Sequence, residues 1–167
     1  MKRFGLMAAG LMLLFSASAV TFASEQVPIP IALVELEYED TSGEPQDQTE
    51  VHKARIQMFM RNLKEDLNNG GHFKTVEMNC GADPCSIEDT DPDELMAAAK
   101  QAGAKLMLYG GVHKVSTLIQ FAKVQVADVD RDEAVMYKSM SFRGDDDRSW
   151  LRMQQFLVKQ MNEELVK

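Results

Sequence analysis

Positive charge is scarce in this sequence. The sequence contains 18 lysine and arginine residues and 26 aspartate and glutamate residues, which gives a net charge of −8 on 167 residues. An acidic surface repels nucleic acid and anionic membranes and favours basic protein surfaces as partners. Long hydrophobic runs are also missing, since the apolar stretch at residues 5–15 is shorter than the roughly 18 residues of a membrane-spanning helix. The composition therefore predicts no nucleic-acid partner and no membrane insertion once a signal peptide is removed.

The amino terminus has the layout of a secretory signal peptide. A basic pair follows the initial methionine, the apolar stretch comes next, and small residues offer a cleavage point after Ala23 or, alternatively, after Ala19. Removing residues 1–23 takes away two basic residues, so the mature charge is 16 − 26 = −10. We predict that residues 24–167 form a single secreted domain in the periplasm.

Cysteine is limited to one pair, Cys80 and Cys85, which are separated by a short segment that contains a glycine and a proline. In an exported protein, two cysteines this close together predict a local disulfide. A redox centre of the CxxC type needs tighter spacing, and a metal site would need further ligands. The sequence therefore predicts a structural disulfide between Cys80 and Cys85.

Apolar periodicity predicts an α/β fold of the mixed α+β kind, with five strands in one mixed sheet and three helices. Two strand–helix–strand units imply a parallel core, and a later hairpin with a charged turn makes the sheet mixed. The predicted element order is β-α-β-α-β-β-β-α. The strands are predicted at residues 28–38, 73–78, 106–109, 118–127 and 134–142, and the helices at residues 51–69, 92–102 and from residues 145–147 onward.

The stretch from Gly103 to Leu118 is predicted to form the middle of the sheet, because a short apolar run between glycines is typical of a buried strand. Gly103 stops the preceding helix, and Gly110 and Gly111 break the run where neighbouring backbone could approach closely. Trp150 is predicted to anchor the last helix against the sheet. These four residues are the predicted structural anchors.

No catalytic, cofactor-binding or metal-binding residue is predicted. His113 and Ser116 are close in sequence, but no nucleophile-elbow motif surrounds the serine. The alternate aspartates of residues 128–132 resemble the start of a calcium loop, yet Glu133 replaces the glycine that such a loop requires. The methionines that could suggest copper have the spacing of core residues. A small-ligand or cation-binding protein and an uncharacterised hydrolase nevertheless remain the alternatives to a binding module.

Three segments carry a family resemblance. They are GAKLMLYGGVHKVSTLI from Gly103, the strand pair after it, and SFRGDDDRSW, which ends at Trp150. Together they resemble a family of small predicted secreted bacterial proteins known only as a domain of unknown function. Lys105 and Thr117 depart from the family pattern, in which an acidic residue and an asparagine are usual. The resemblance covers Pro30 to Val158, supports export as a single domain, and implies no catalytic residue.

The strand order also resembles the small α/β module at the amino terminus of the TolB translocation protein. The lipoprotein activators of cell-wall synthases carry a similar module, and these proteins are envelope adaptors that bind other proteins. The fold-level resemblance thus favours a non-catalytic module that binds another envelope protein. Some members of the family of unknown function are encoded near genes for periplasmic quinoprotein alcohol oxidation, which suggests that system as a source of the partner.

Two polar segments that follow strands are the predicted partner surface, because binding residues concentrate in loops on a rigid scaffold. The first segment spans residues 40–48 and the second spans residues 143–148. If their acids share one surface, a basic patch on the partner is the natural complement. The predicted surface consists of Asp40, Glu44, Arg143, Asp145, Asp146 and Asp147.

Overall fold

The computed structural model describes residues 27–81 and 84–166. The predicted signal peptide and its cleavage points lie outside these residues. Within them, three helices pack on a mixed sheet of six strands, and this confirms the predicted α/β class. No helix in the described ranges is both long enough and apolar enough to cross a bilayer.

The elements follow the predicted order closely, with one extra strand near the amino terminus. The strands are β1 (Ile29–Leu33), β2 (Glu37–Asp40), β3 (Phe73–Val76), β4 (Leu106–Lys114), β5 (Ile119–Asp128) and β6 (Glu133–Arg143). The helices are α1 (Thr49–Asn69), α2 (Pro92–Gln101) and α3 (Asp147–Leu165).

The sheet has the order β3-β1-β4-β5-β6, and β2 pairs with the far half of β4. The pairs of β1 with β3 and of β1 with β4 are parallel, as the two strand–helix–strand units predict. The β4–β5–β6 part is antiparallel, which agrees with the predicted hairpin. The predicted central stretch thus lies in the middle of the sheet as β4.

The single strand predicted at residues 28–38 is divided into β1 and β2. Val34 still donates a backbone hydrogen bond to Leu108 of β4, but the N–H of Glu35 bonds instead to the carbonyl of Cys85. The chain rejoins β4 at Glu37, opposite Gly111. Periodicity could not predict this break, because the competing acceptor belongs to a loop fifty residues away in sequence.

The two faces of the sheet are covered differently. On one face, α1 and α3 enclose the larger core, which includes Phe59, Leu63 and Trp150. On the other face, α2 and the cysteine-containing loop cover a smaller core around Leu95 and Met107. The predicted disulfide between Cys80 and Cys85 is confirmed, and both cysteines pack against this smaller core.

Three of the predicted anchors are glycines, and two of them allow neighbouring strands to approach β4. Gly110 has a φ of +153°, and a Cβ atom there would lie 2.1 Å from the carbonyl oxygen of Lys123 on β5. A Cβ atom on Gly111 would lie 3.3 Å from Glu37 of β2. Gly103 follows α2 with a φ of +76°, where side chains are disfavoured.

Candidate functional site

A buried lysine lies at the end of the central strand. Lys114 is the last residue of β4, and its side chain is fully shielded from solvent. Its ammonium nitrogen Nζ lies 2.5 Å from Glu44 Oε2, 2.8 Å from Asp145 Oδ2 and 3.2 Å from Gln48 Oε1. A buried ammonium requires such partners, because an unpaired charge in a protein interior is strongly disfavoured. Lys114 therefore joins the β2–α1 loop to the turn before α3.

Asp145 is the second centre of this network. Oδ2 of its carboxylate also lies 2.9 Å from His52 Nε2, and Oδ1 accepts hydrogen bonds from Arg55 Nη1 and from Gln120 Nε2. His52 and Arg55 lie on α1, whereas Gln120 lies on β5. One carboxylate thus links a helix, a strand and the turn before α3. We call Lys114, Asp40, Glu44, Gln48, His52, Arg55 and Asp145 the Lys114 cluster.

The turn that presents Asp145 depends on Gly144. This glycine has a φ of +96°, and a Cβ atom there would lie 2.5 Å from Ser149 Oγ. Asp146 then caps α3, because its side chain accepts a hydrogen bond from the backbone N–H of Ser149. The sequence Gly-Asp-Asp thus sends the first carboxylate inward to Lys114 and uses the second as a helix cap.

The Lys114 cluster contains one lysine, one arginine and three carboxylates. Its formal charge is therefore 2 − 3 = −1, with histidine counted as neutral. Burial alone raises the pKa of the Asp145 carboxyl, but hydrogen bonds from Lys114 and His52 and the charge of Arg55 outweigh burial and lower the pKa below 3.8. Burial alone lowers the pKa of Lys114, yet its bonds to Asp145 and Glu44 raise it above 10.5. Both groups are therefore charged at neutral pH.

Because the pKa of Asp145 is lowered in the folded protein, the free energy of unfolding should decrease at acidic pH. Because the folded pKa lies below the unfolded value of 3.8, the contribution of Asp145 is complete above that value and is lost as the pH falls through the folded pKa. We expect the urea concentration at the unfolding midpoint to decrease once the pH is lowered below about 4. In Asp145→Asn this part of the acid dependence should be missing, so the two midpoints should converge as the pH falls. A difference that stays constant from pH 7 into the acid limb would contradict this account.

A cleft of about 670 Å³ opens beside the cluster, between β2, the start of α1 and the segment that follows Cys85. His52 and Tyr38 form part of its lining, and their rings stack with centroids 4.3 Å apart. Six carboxylates and one lysine also line it: Glu35, Glu37, Asp40, Asp47, Glu88, Asp89 and Lys53. Burial raises the pKa of Glu37, and the nearby charge of Glu88 raises it further. Crowded carboxylates of this kind favour a cationic group over an anionic one.

The structure brings the predicted partner-surface acids to one end of the sheet but turns several of them inward. Glu44 and Asp145 bond to Lys114, and Asp40 Oδ2 lies 3.7 Å from the same nitrogen. Asp147 is exposed and lies 3.2 Å from Arg55 Nε. Arg143 forms no ion pair within the described residues.

The alternative of a catalytic His113 and Ser116 pair finds no support in their contacts. His113 Nε2 lies 2.7 Å from Thr41 Oγ1, whereas Ser116 Oγ accepts hydrogen bonds from the backbone N–H groups of Leu118 and Ile119. Both side chains thus secure loops. In the hairpin turn, Asp128 Oδ1 likewise accepts bonds from the backbone N–H groups of residues 130 and 131. The described residues contain no group of three or more acids, histidines or cysteines arranged to hold a metal ion.

Sequence reasoning missed Lys114, His52 and Arg55. A signal for Lys114 existed, because the alternation of β4 places it on the same face as Leu108 and Val112, which belong to the larger core. His52 stands four residues before Ile56 and so continues the buried stripe of α1. A lysine and a histidine at inward positions predict buried carboxylate partners, although periodicity alone does not tell which ones.

The α/β domain described above belongs to a known protein family. Residues 30–161 match the family described as "Protein of unknown function (DUF2380)", and the chain is a member of it. This confirms the predicted membership of a family of unknown function. No curated protein matches the sequence.

Several solved structures are similar to this chain. The hypothetical protein CT253 from Chlamydia trachomatis has a TM-score of 0.55 at 10% identity, over 83% of this chain and 98% of its own. TolB from Acinetobacter baumannii has a TM-score of 0.53 at 14% identity, over 83% of this chain but only 28% of TolB. The C-terminal domain of LpoB from Salmonella enterica has a TM-score of 0.48 at 15% identity, over 70% of this chain and 83% of that domain.

TM-scores above 0.5 show that CT253 and this part of TolB share the fold of the chain, whereas identities of 10% and 14% show nothing about activity. The resemblance to a part of TolB that the strand order predicted is therefore confirmed at the level of the fold. This chain spans little more than a quarter of TolB, so the functions of the whole TolB protein do not transfer to it.

Proposed function

We propose that this chain is a non-catalytic module of the cell envelope that binds a basic surface of another protein at the cleft beside the Lys114 cluster. The observation that carries the proposal is the bonding within the cluster. The side chains of Lys114, Asp145 and Glu44 form their hydrogen bonds with members of the cluster and with Gln120. Groups engaged in this way stiffen a surface and are poorly suited to exchange protons with a substrate.

The cluster supports a binding role because it holds a loop, a helix and a turn together. The β2–α1 loop, the first turns of α1 and the turn before α3 all meet at Lys114 or Asp145. A rigid surface loses little conformational entropy when a partner docks. The acidic lining of the cleft then gives the partner its chemistry, because lysine and arginine side chains complement crowded carboxylates.

The test uses residues that line the cleft without belonging to the cluster. Gln46 and Glu88 are exposed and have no hydrogen-bond or ion-pair partner among the described residues. Gln46→Arg combined with Glu88→Lys should repel a basic partner and leave the fold intact. Glu65→Lys combined with Gln101→Arg is the matched control, because both residues are exposed, neither lines the cleft, and the charge change is the same +3.

The wild-type protein and both variants would be used to capture partners from an envelope extract of the native host, and the partner would then be purified. We expect the cleft variant to bind the purified partner at least about tenfold more weakly than wild type, since like charges would now face each other. The control variant should bind like wild type. Equal binding by the cleft variant would overturn the assignment of the cleft, and a stoichiometric small molecule or a measurable turnover in place of a partner would overturn the proposed function.

A further inference from the structure

Strand β6 forms one edge of the sheet, and half of its backbone groups face away from β5. The N–H of Gly144 donates a hydrogen bond to the carbonyl of Leu118, and this bond continues the register by one position beyond the pair of Ile119 and Arg143. Because hydrogen-bonded and non-hydrogen-bonded pairs alternate, the N–H and C=O groups of Ser139, Ser141 and Arg143 point outward from the edge. No described strand pairs with them. Such an edge is a template for one more strand.

The first half of this edge is less open than the second. The side chain of Lys138 lies on the helix-facing side of β6 and forms an ion pair with Glu164 of α3. A charged side chain in this position hinders pairing with another strand. The open part of the edge is therefore the stretch from Ser139 to Arg143.

A groove of about 480 Å³ runs between this open stretch and α3. Its apolar lining includes Met153 and Phe156, and the ring of Phe156 is 48% exposed. Two arginines, Arg143 and Arg152, border it. Neither forms an ion pair within the described residues, and the only hydrogen bond of the Arg152 side chain goes to Ser149 Oγ. Two arginines without an ion pair thus lie together beside an apolar groove, in a chain whose net charge is −8.

We propose that an extended, carboxylate-bearing segment of a partner protein binds this groove by adding a strand to β6. The segment would exchange backbone hydrogen bonds with Ser139 and Ser141, place an apolar side chain on Phe156, and pair its carboxylates with Arg143 and Arg152. Charge complementarity favours this occupant, because both arginine side chains can form bidentate bonds with carboxylates. The groove is a second surface with chemistry opposite to that of the acidic cleft, and the inference does not depend on that cleft.

The test is a display library of random peptides of about twelve residues, long enough to span the open stretch. The library would be selected on the protein recovered after expression of the full chain in a Gram-negative bacterium. We expect peptides that combine alternating apolar residues with aspartate or glutamate. A synthetic copy should bind about tenfold more weakly to Arg143→Gln or to Arg152→Gln, because each change removes a charge-assisted hydrogen bond. Arg131→Gln, in the turn at the other end of the hairpin, is the matched control and should bind normally.

A backbone variant tests strand addition directly. Ser141→Pro removes an outward N–H but no hydrogen bond to β5, so the sheet should tolerate it. Binding should be lost, while circular dichroism and the thermal midpoint stay close to wild type. In the wild type, the bound peptide should slow hydrogen exchange of the amides at residues 139–143.

Three results would overturn the inference. The first is a failure to select any acidic peptide, and the second is binding that survives both Ser141→Pro and the loss of the arginines. The third is a dimer in analytical ultracentrifugation that Ser141→Pro abolishes, since this would assign the edge to a second copy of the chain. None of these results bears on the acidic cleft, so the proposed function would stand or fall separately.

Discussion

Replacing Lys114 with methionine is expected to lower the free energy of unfolding by about 3–5 kcal/mol at pH 7, measured by urea denaturation. Methionine fills a similar volume but removes the charge, so Glu44 and Asp145 lose the ammonium that both of them contact. The Asp145 carboxylate would keep His52, Arg55 and Gln120, whereas the Glu44 carboxylate would keep only Gln48 among the described residues. Most of this loss of stability comes from leaving buried carboxylates without their counter-charge, and less comes from the lost hydrogen bonds themselves.

Two further variants distinguish this explanation from a general packing defect. Adding Glu44→Gln and Asp145→Asn to Lys114→Met neutralises the stranded carboxylates and should recover part of the lost stability. Lys105→Met removes an exposed lysine that pairs with Asp130, and it should change the urea midpoint very little. The deficit of Lys114→Met should also shrink in acid, because protonation neutralises the carboxylates it leaves behind. A triple variant no more stable than Lys114→Met would contradict the electrostatic explanation.

The sequence predicted the sheet and helices well because their signals are local. Alternation identified the second strand of the hairpin, and the helical spacing of Trp150, Met153 and Leu157 identified the buried side of α3. The start of α2 was equally readable, since Asp91 caps it and Pro92 occupies its first position. Each of these patterns depends on residues only a few positions apart.

The Lys114 cluster could not be predicted in the same way, because its members come from three separate stretches of the chain, namely residues 40–55, residue 114 and residue 145. Lys114 and Asp145 are 31 residues apart, and His52 and Asp145 are 93 residues apart. Local patterns placed Glu44 and Asp145 in segments that follow strands, but they did not indicate in which direction the carboxylates point. The prediction treated Asp145 as a surface residue, whereas Gly144 turns its carboxylate inward toward Lys114. Tertiary pairing, not local propensity, decides which loop acids reach a partner.

The second large effect is expected at Trp150, and Trp150→Ala should lower the free energy of unfolding by about 3–5 kcal/mol. The indole is fully buried in the first turn of α3, where it contacts Phe59 and Phe142 edge to face, at centroid distances of 6.4 and 5.8 Å. Tyr38, which stacks on His52, lies 6.0 Å from the same ring. Alanine would leave a cavity bounded by α1, β2 and β6 at the point where α3 begins.

The packing around the indole provides two controls. Leu151, the next residue on α3, is 38% exposed, so Leu151→Ala should cost far less than Trp150→Ala. Trp150→Phe should fall between wild type and Trp150→Ala, because a smaller ring retains part of the contact with Phe59 and Phe142. The indole Nε1 has no hydrogen-bond partner among the described residues, so neither replacement breaks a hydrogen bond and the lost packing sets the order of the three proteins. An unchanged urea midpoint in Trp150→Ala would show that the tryptophan does not anchor α3 to the sheet.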